Sequence, residues 1–349
     1  MTNWTDATHV PRWDTVDNTR LRAVQPPAQP WYNYPAHLPA VVNAWSSAAL
    51  DTSREQLWIY GGGHGDYYGN ESYVFDVASA AWSRADDPTD LTQYLPLNTL
   101  VPLDMWWDGR PSGRHTYGGL TYIPQIDKFH LYGGSRSSGS GGMGGDNWLR
   151  GPVNGVWIQQ QTTFNRIPAW GTSPGQTLIA TVVHDGRVFA ASNQRLRSWH
   201  PLLNTWQAES MPYNLPQLYW TALILGDRLF LLGQGAANTV GKLYWFDLSL
   251  PASQRAIQSV PRLSPPWIET QHAPGFDSDP KTGLGVAWAG GNEVWLLDPS
   301  TLQWTVVAVP GAPMAPSQGM YGRFRYVASQ DAFLAVTSVD ADVAYLSLR

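Results

Sequence analysis

Short apolar runs alternate with glycine-rich reversals from Leu57 onward. Leu57-Trp58-Ile59-Tyr60 leads into Gly61-Gly62-Gly63-His64-Gly65-Asp66-Tyr67-Tyr68-Gly69-Asn70, then into Tyr73-Val74-Phe75-Asp76 and Trp82. Apolar runs of this length bounded by Gly, Asn and Asp read as β-strands, and no long segment keeps a 3.6-residue period. Weaker copies of the pattern follow to the end of the chain. Each is tracked by a residue, usually polar, that closes the second strand and an aromatic residue six positions on: Asp76 and Trp82, Ile158 and Phe164, His200 and Trp206, Asp298 and Trp304. Asp247 keeps the first half, and Ser347 marks a truncated sixth copy. Successive markers lie 82, 42, 47, 51 and 49 residues apart, the long first interval holding two insertions, Asp86–Gly113 and Ser135–Pro152.

Strand–GG–strand–Trp at a period of roughly 50 residues resembles the Kelch repeat, one blade of a β-propeller. The resemblance implies an all-β, six-bladed propeller of four-stranded antiparallel blades in one domain, 1–349, and a scaffold used mainly for binding. Blades are expected at about 40–85, 114–168, 176–209, 217–260, 269–309 and 318–349. Innermost strands are read at 40–47, 114–123, 177–184, 218–225, 270–277 and 319–328, and second strands at 57–60, 129–132, 188–191, 229–232, 285–288 and 332–336. Asp51-Thr52-Ser53-Arg54 and Asp185-Gly186-Arg187 are typical of the turns between them. The sixth copy ends before its outer strand, and an unpaired edge at a ring closure is costly. Residues 10–16, which carry Trp13, are expected to close the ring, and 26–39 to cross one face towards blade one.

Composition narrows the function classes. The chain has 19 Trp, 16 Tyr, 33 Gly and 27 Pro in 349 residues, which suits short strands and tight turns. A net charge of −5 and only three lysines give no footprint for nucleic acid or an anionic membrane. No apolar run nears the roughly 20 residues of a membrane span, and the start has no signal-peptide pattern. Synthesis in the cytoplasm is expected, with release by lysis or assembly into a virion left open. Cysteine is absent, which removes disulfides, thiolate metal sites and a copper-radical cofactor of the galactose-oxidase kind.

Topology predicts where chemistry would sit. Starts of the innermost strands, together with the loops between second and third strands, should share one face around the central axis, and both insertions should open there. Expected ligand-binding residues are His64, Asp66, Tyr67, Tyr68, Asn70, His115, Tyr219, Trp220 and His272, with tyrosine faces suited to the C–H faces of sugars. Asn43, Trp45, Gln176 and Gln271 share that rim, and Asp146, Asn147 and Trp148 lie in the glycine-rich second insertion. Either side of the balance has a structural counterpart: His64, Asp66 and Asn70 can equally well stabilise the reversal. His115 and His272 can line the channel through bonds between blades. Imidazole and carboxylate are metal ligands, but no close-spaced signature such as HExxH occurs, and no metal or cofactor is expected.

The leading expectation is a recognition module for a glycan or a partner surface, in a virion tail or host-recognition setting, either alone or in a homo-oligomer or larger assembly. A polysaccharide lyase is the alternative, with His115, Tyr117 and Tyr321 as acid and base and Arg114 and Arg323 as cations. A structural assembly subunit is the third reading.

Overall fold

The computed structural model describes residues 10–97, 104–136, 143–160, 178–216, 219–234 and 242–349. Six antiparallel sheets form a six-bladed propeller. Blade one is representative: Ser47–Asp51, Gln56–Tyr60, Tyr73–Asp76 and Ala81–Arg84 pair in sequence order, outward from the axis. In blade two the innermost strand is split into Arg114–His115 and Leu120–Ile123. Among the described residues, no helix is long and apolar enough to cross a membrane.

The ring closes as the truncated sixth copy requires. Arg12–Val16 pairs antiparallel with Val343–Ser347, so the N-terminal segment supplies the outer strand of the last blade. Trp13 stands opposite Leu346, the place that Trp82 takes opposite Phe75 and Trp304 opposite Leu297. Its ring packs 4.9 Å from that of Trp288 in blade five. Beyond this strand, Thr19 donates to Val16 O, accepts from Val343 N and binds Asp342 through its own N–H. Trp82 Nε1 then donates to Thr19 O at 2.7 Å, which ties the closure to blade one.

Two of the sequence readings shift. The innermost strands start several residues late: Ser47, Trp220, Gly275 and Phe324 open them in blades one, four, five and six. Ala40–Asn43, read as strand, is a helical turn in which Val41 and Val42 are buried. Segments read as strand beginnings are instead tight rim turns holding Trp45, Tyr117, Tyr219, Ala273 and Tyr321 with φ between 36° and 64°. Alternation cannot report such a turn, because its residues are as apolar as a strand's. The second shift is in blade two, where Met143–Arg150 is the third strand and Ile158–Gln159 the fourth. Ile158 therefore holds the Trp82 position rather than the Asp76 position, and Phe164 lies outside the described residues. Most of the second insertion is an extension of this hairpin: Lys128–Arg136 pairs with Met143–Arg150 as far as Ser135 and Met143.

The rim turns join the blades. A left-handed residue other than glycine costs roughly 1–2 kcal/mol, but here it aims its carbonyl at the next blade. Trp45 O accepts from Tyr117 N at 2.7 Å, Tyr219 O from Ala273 N at 2.8 Å, Ala273 O from Met320 N at 2.8 Å, and Tyr321 O from Ala48 N at 3.0 Å. Gly118 O does the same for Thr181 N at 2.8 Å between blades two and three. Room for the Tyr219 carbonyl explains the glycine that ends the second strand of blade four: a Cβ at Gly233 would lie 2.4 Å from Tyr219 O. Within the second strand of blade two, a Cβ at Gly134 would lie 2.5 Å from His115 O. Blade four keeps Gly233 although its double glycine is interrupted.

Apolar clusters fill the spaces between blades. Leu57, Ile59 and Phe75 of blade one pack with Val327, Leu334 and Val343 of blade six, and Trp58 and Tyr60 with Leu120, Phe129 and Trp148 of blade two. On the face of the short turns, Arg54 clamps Asp51 to Asp127, and Arg349 clamps Asp279 to Asp331.

Closure through Trp13 should be measurable. Trp13→Ala is expected to cost about 2–4 kcal/mol in urea unfolding followed by circular dichroism. Deleting residues 1–18 should broaden the transition and lower its midpoint much further. A Trp13→Ala midpoint equal to that of the parent chain would contradict this role.

Candidate functional site

The rim turns carry aromatic side chains inward, and these close the channel on the loop face. Tyr117, Ala273 and Tyr321 are buried against one another, with Trp45 and Tyr219 packed on them. Above this plug a continuous series of rings crosses the axis. His64 lies 5.0 Å from His115, His115 lies 4.7 Å from Trp45, Trp45 stacks 6.4 Å from Tyr219, and Tyr219 stacks 4.5 Å from His272. Residues from blades one, two, four and five thus share one surface. His64, Asp66 and His272 are exposed along it, whereas Trp45 and Tyr219 are half-buried.

His115 and Asp66 form the polar centre. His115 Nε2 lies 2.7 Å from Asp66 Oδ2, and Asp66 is about half exposed while His115 is buried. Burial lowers the imidazole to about 4, against the opposing pull of the Asp66 carboxylate. At neutral pH the ring is therefore uncharged, held by hydrogen bonds to the Asp66 carboxylate and to the Gly63 backbone. Burial also lowers His272 and raises Tyr117, whose Oη lies 3.3 Å from Ser135 Oγ. The arrangement can hold a hydrogen-bonding ligand and exchange one proton with it.

Other residues singled out in the sequence have gone inside. Tyr67 and Tyr68 do not form a twin platform: Tyr67 is buried, bonded to Glu71 and packed on Tyr32 and Tyr34, and only Tyr68 is partly open. Neighbours in sequence point oppositely here, and one of the two was bound to face the core. Asn70 donates to Pro111 O and accepts from Thr89, so it moors the first insertion. Trp220 is buried between blades, its Nε1 bonded to Pro216 O.

Both arginines are internal as well. Arg114 binds Asp146 at 2.7 Å and the carbonyls of Asp104, Ser112 and Gly133. Arg323 holds the carbonyls of Ser46, Gly319 and Val336 across the junction of blades five, six and one. Burial pulls Arg323 down to about 9, so it remains a cation at neutral pH. Tyr321 and Tyr117 are both buried. Asp146 and Trp148 belong to the third strand of blade two, where Trp148 Nε1 donates to the Asp146 carboxylate. Gln176 lies outside the described residues. Among the described residues no three His, Asp or Glu side chains are grouped to hold a metal ion.

Sequence reasoning missed two features. A cavity of about 200 Å³ adjoins His272, lined by Gln234, Gln271, Ser317 and Met320 from three separate segments. A second, of about 360 Å³, occupies the channel between blades one, two, three, four and six, reaching the turn residues Thr52, Gln125 and Asp185. Neither has a sequence signal, since each gathers single residues from several blades.

No family model matches the chain, and no curated protein matches it. Among solved structures it is similar to a structure of YjhT, with a TM-score of 0.58, 11% sequence identity, and cover of 91% of this chain and 95% of that one. At that identity the likeness concerns the fold alone. A fungal alcohol oxidase of the AA5 family in complex with copper overlaps with a TM-score of 0.49 at 12% identity, over 86% of this chain and 62% of that one, too weakly to bear on function.

Two titrations follow. In histidine NMR, His115 should stay neutral until the pH nears 4. Its unfolded counterpart takes up a proton near 6.5, so this residue removes stability as pH falls through that window. A titration midpoint near 6.5 would contradict the buried pairing. Glu71 has the opposite sign: burial raises its carboxyl, against the donors of Tyr67 and Tyr73, so its contribution is lost as pH rises. Glu71→Gln keeps an acceptor for both tyrosines and should shrink the loss of unfolding free energy as pH rises above 4.5. An unchanged loss would count against it.

Proposed function

We propose that this propeller is a Kelch-like recognition module and that it binds a carbohydrate across the loop-face rim. The observation that supports this is the stacked series Trp45–Tyr219–His272, flanked by the Asp66–His115 pair. Flat half-buried rings suit the C–H faces of a sugar, and donors and acceptors at their edges suit its hydroxyls. Tight inter-blade bonds keep the rings in place before binding, which limits the ordering cost. A protein surface is the other partner class that such aromatic loops suit. Nucleic acid does not fit the acidic balance of the chain.

The lyase roles read from sequence fit less well. Arg114 and Arg323 were to stabilise an enolate, but their donors are engaged by Asp146 and backbone carbonyls. Without those cations, His115 and Asp66 remain an acid–base pair with no partner for the developing charge.

Glycan-array screening followed by calorimetry on a hit tests the reading. Trp45→Ala and Tyr219→Ala should each weaken binding about tenfold or more, equivalent to 1.4 kcal/mol. Array hits whose affinity is untouched by either substitution would overturn it, as would an array with no hits.

A further inference from the structure

We propose that the cavity beside His272 is a terminal subsite of the rim, and that it takes one uncharged sugar unit at the end of a glycan chain. This rests on the reading of the rim as a carbohydrate site and adds where the chain stops. His272 belongs to both places: its ring stacks 4.5 Å from Tyr219, and it lines the cavity. The other walls come from Gln234 of blade four, Gln271 and Ala289 of blade five, and Ser317 and Met320 of blade six. Met320 is buried and its N–H is bonded to Ala273 O at 2.8 Å, so that wall is fixed. The space is about 200 Å³. Sites for drug-sized ligands span roughly 300–1,000 Å³, so this one has room for a single unit. A chain laid along Trp45 and Tyr219 that turns in past His272 meets walls from three blades and ends there.

The polar groups around the cavity are of both kinds. Neither ring nitrogen of His272 is hydrogen-bonded among the described residues. Burial keeps that ring neutral at pH 7, so it offers one donor and one acceptor. Gln271 Nε2 donates to Thr270 Oγ1 at 2.9 Å and to Trp267 O at 3.1 Å, which fixes the amide and leaves Oε1 to accept. Ser317 is exposed at the lip, and its hydroxyl can donate or accept. Sugar hydroxyls also do both, while Met320 and Ala289 give the C–H face an apolar contact.

Charge sets the class of sugar. No Asp, Glu, Lys or Arg is among the described residues that line the cavity. Arg323 lies beneath Gly319, whose carbonyl accepts from its Nη2 at 2.5 Å. That guanidinium is fully buried, and its other donors are held by Ser46 O and Val336 O. A uronate carboxylate entering here would lose water without gaining a cation it can touch.

Saturation-transfer NMR with glucose, galactose and mannose, each against its uronate, tests the subsite. At least one hexose should bind, and its uronate should bind about tenfold more weakly or worse. Ser317→Trp, at the exposed lip and outside the stacked rings, should fill the cavity and remove hexose binding. The subsite is overturned if no hexose binds, if the uronates bind equally well, or if Ser317→Trp leaves hexose binding unchanged. The rim has its own readout: an array glycan that loses affinity on Trp45→Ala keeps the broader reading in place however the hexoses behave.

Discussion

The whole molecule depends on a carbonyl turned the unusual way. At the start of the innermost strands of blades one, four, five and six a residue other than glycine adopts a left-handed backbone, and its C=O reaches the N–H of the following blade. The strain is local and repeated, and each bond offsets part of it at a net worth of about 1 kcal/mol. Neighbouring blades are thereby tied at the axis as well as through their apolar faces. The same backbone turn swings Trp45, Tyr117, Tyr219 and Tyr321 over the channel. One device both joins the ring and builds the surface above it.

Burial then sorts the polar residues into two populations. Arg114, Arg323, Asn70 and Glu71 lie inside, where removing a partner would leave a costly orphan. Their neighbours are backbone carbonyls, tyrosine hydroxyls and one buried aspartate, so they lock segments together. His64, Asp66 and His272 keep part of their surface open. Recognition can use only this second group.

The aromatic plug also gives the ring two unlike ends. On the loop face it makes a shallow stacked floor with a neutral histidine at its centre. Beneath it the channel is a separate amphipathic pocket. Cross-talk between the ends would have to pass through Tyr321, whose ring meets Tyr117 above and which lines the cavity below.

The number of blades, the strand-rich class and the N-terminal closure were legible in the chain, because they rest on local alternation, on glycine reversals and on a recurring tryptophan. Second strands were placed to within a residue or two in most blades for the same reason. Local pattern could not tell a rim turn from a strand start, since Trp45, Tyr219 and Tyr321 are apolar in either case. Nor could it tell Arg114 from Arg325, for both flank apolar strands of similar look. Which carboxylate each arginine meets depends on residues tens of positions away, Asp146 for one and Asp277 for the other. Periodicity is a property of neighbours along the chain, so the sequence by itself determined the blades. Burial and bonding are properties of neighbours in space, and only the closed ring decided what the site contains.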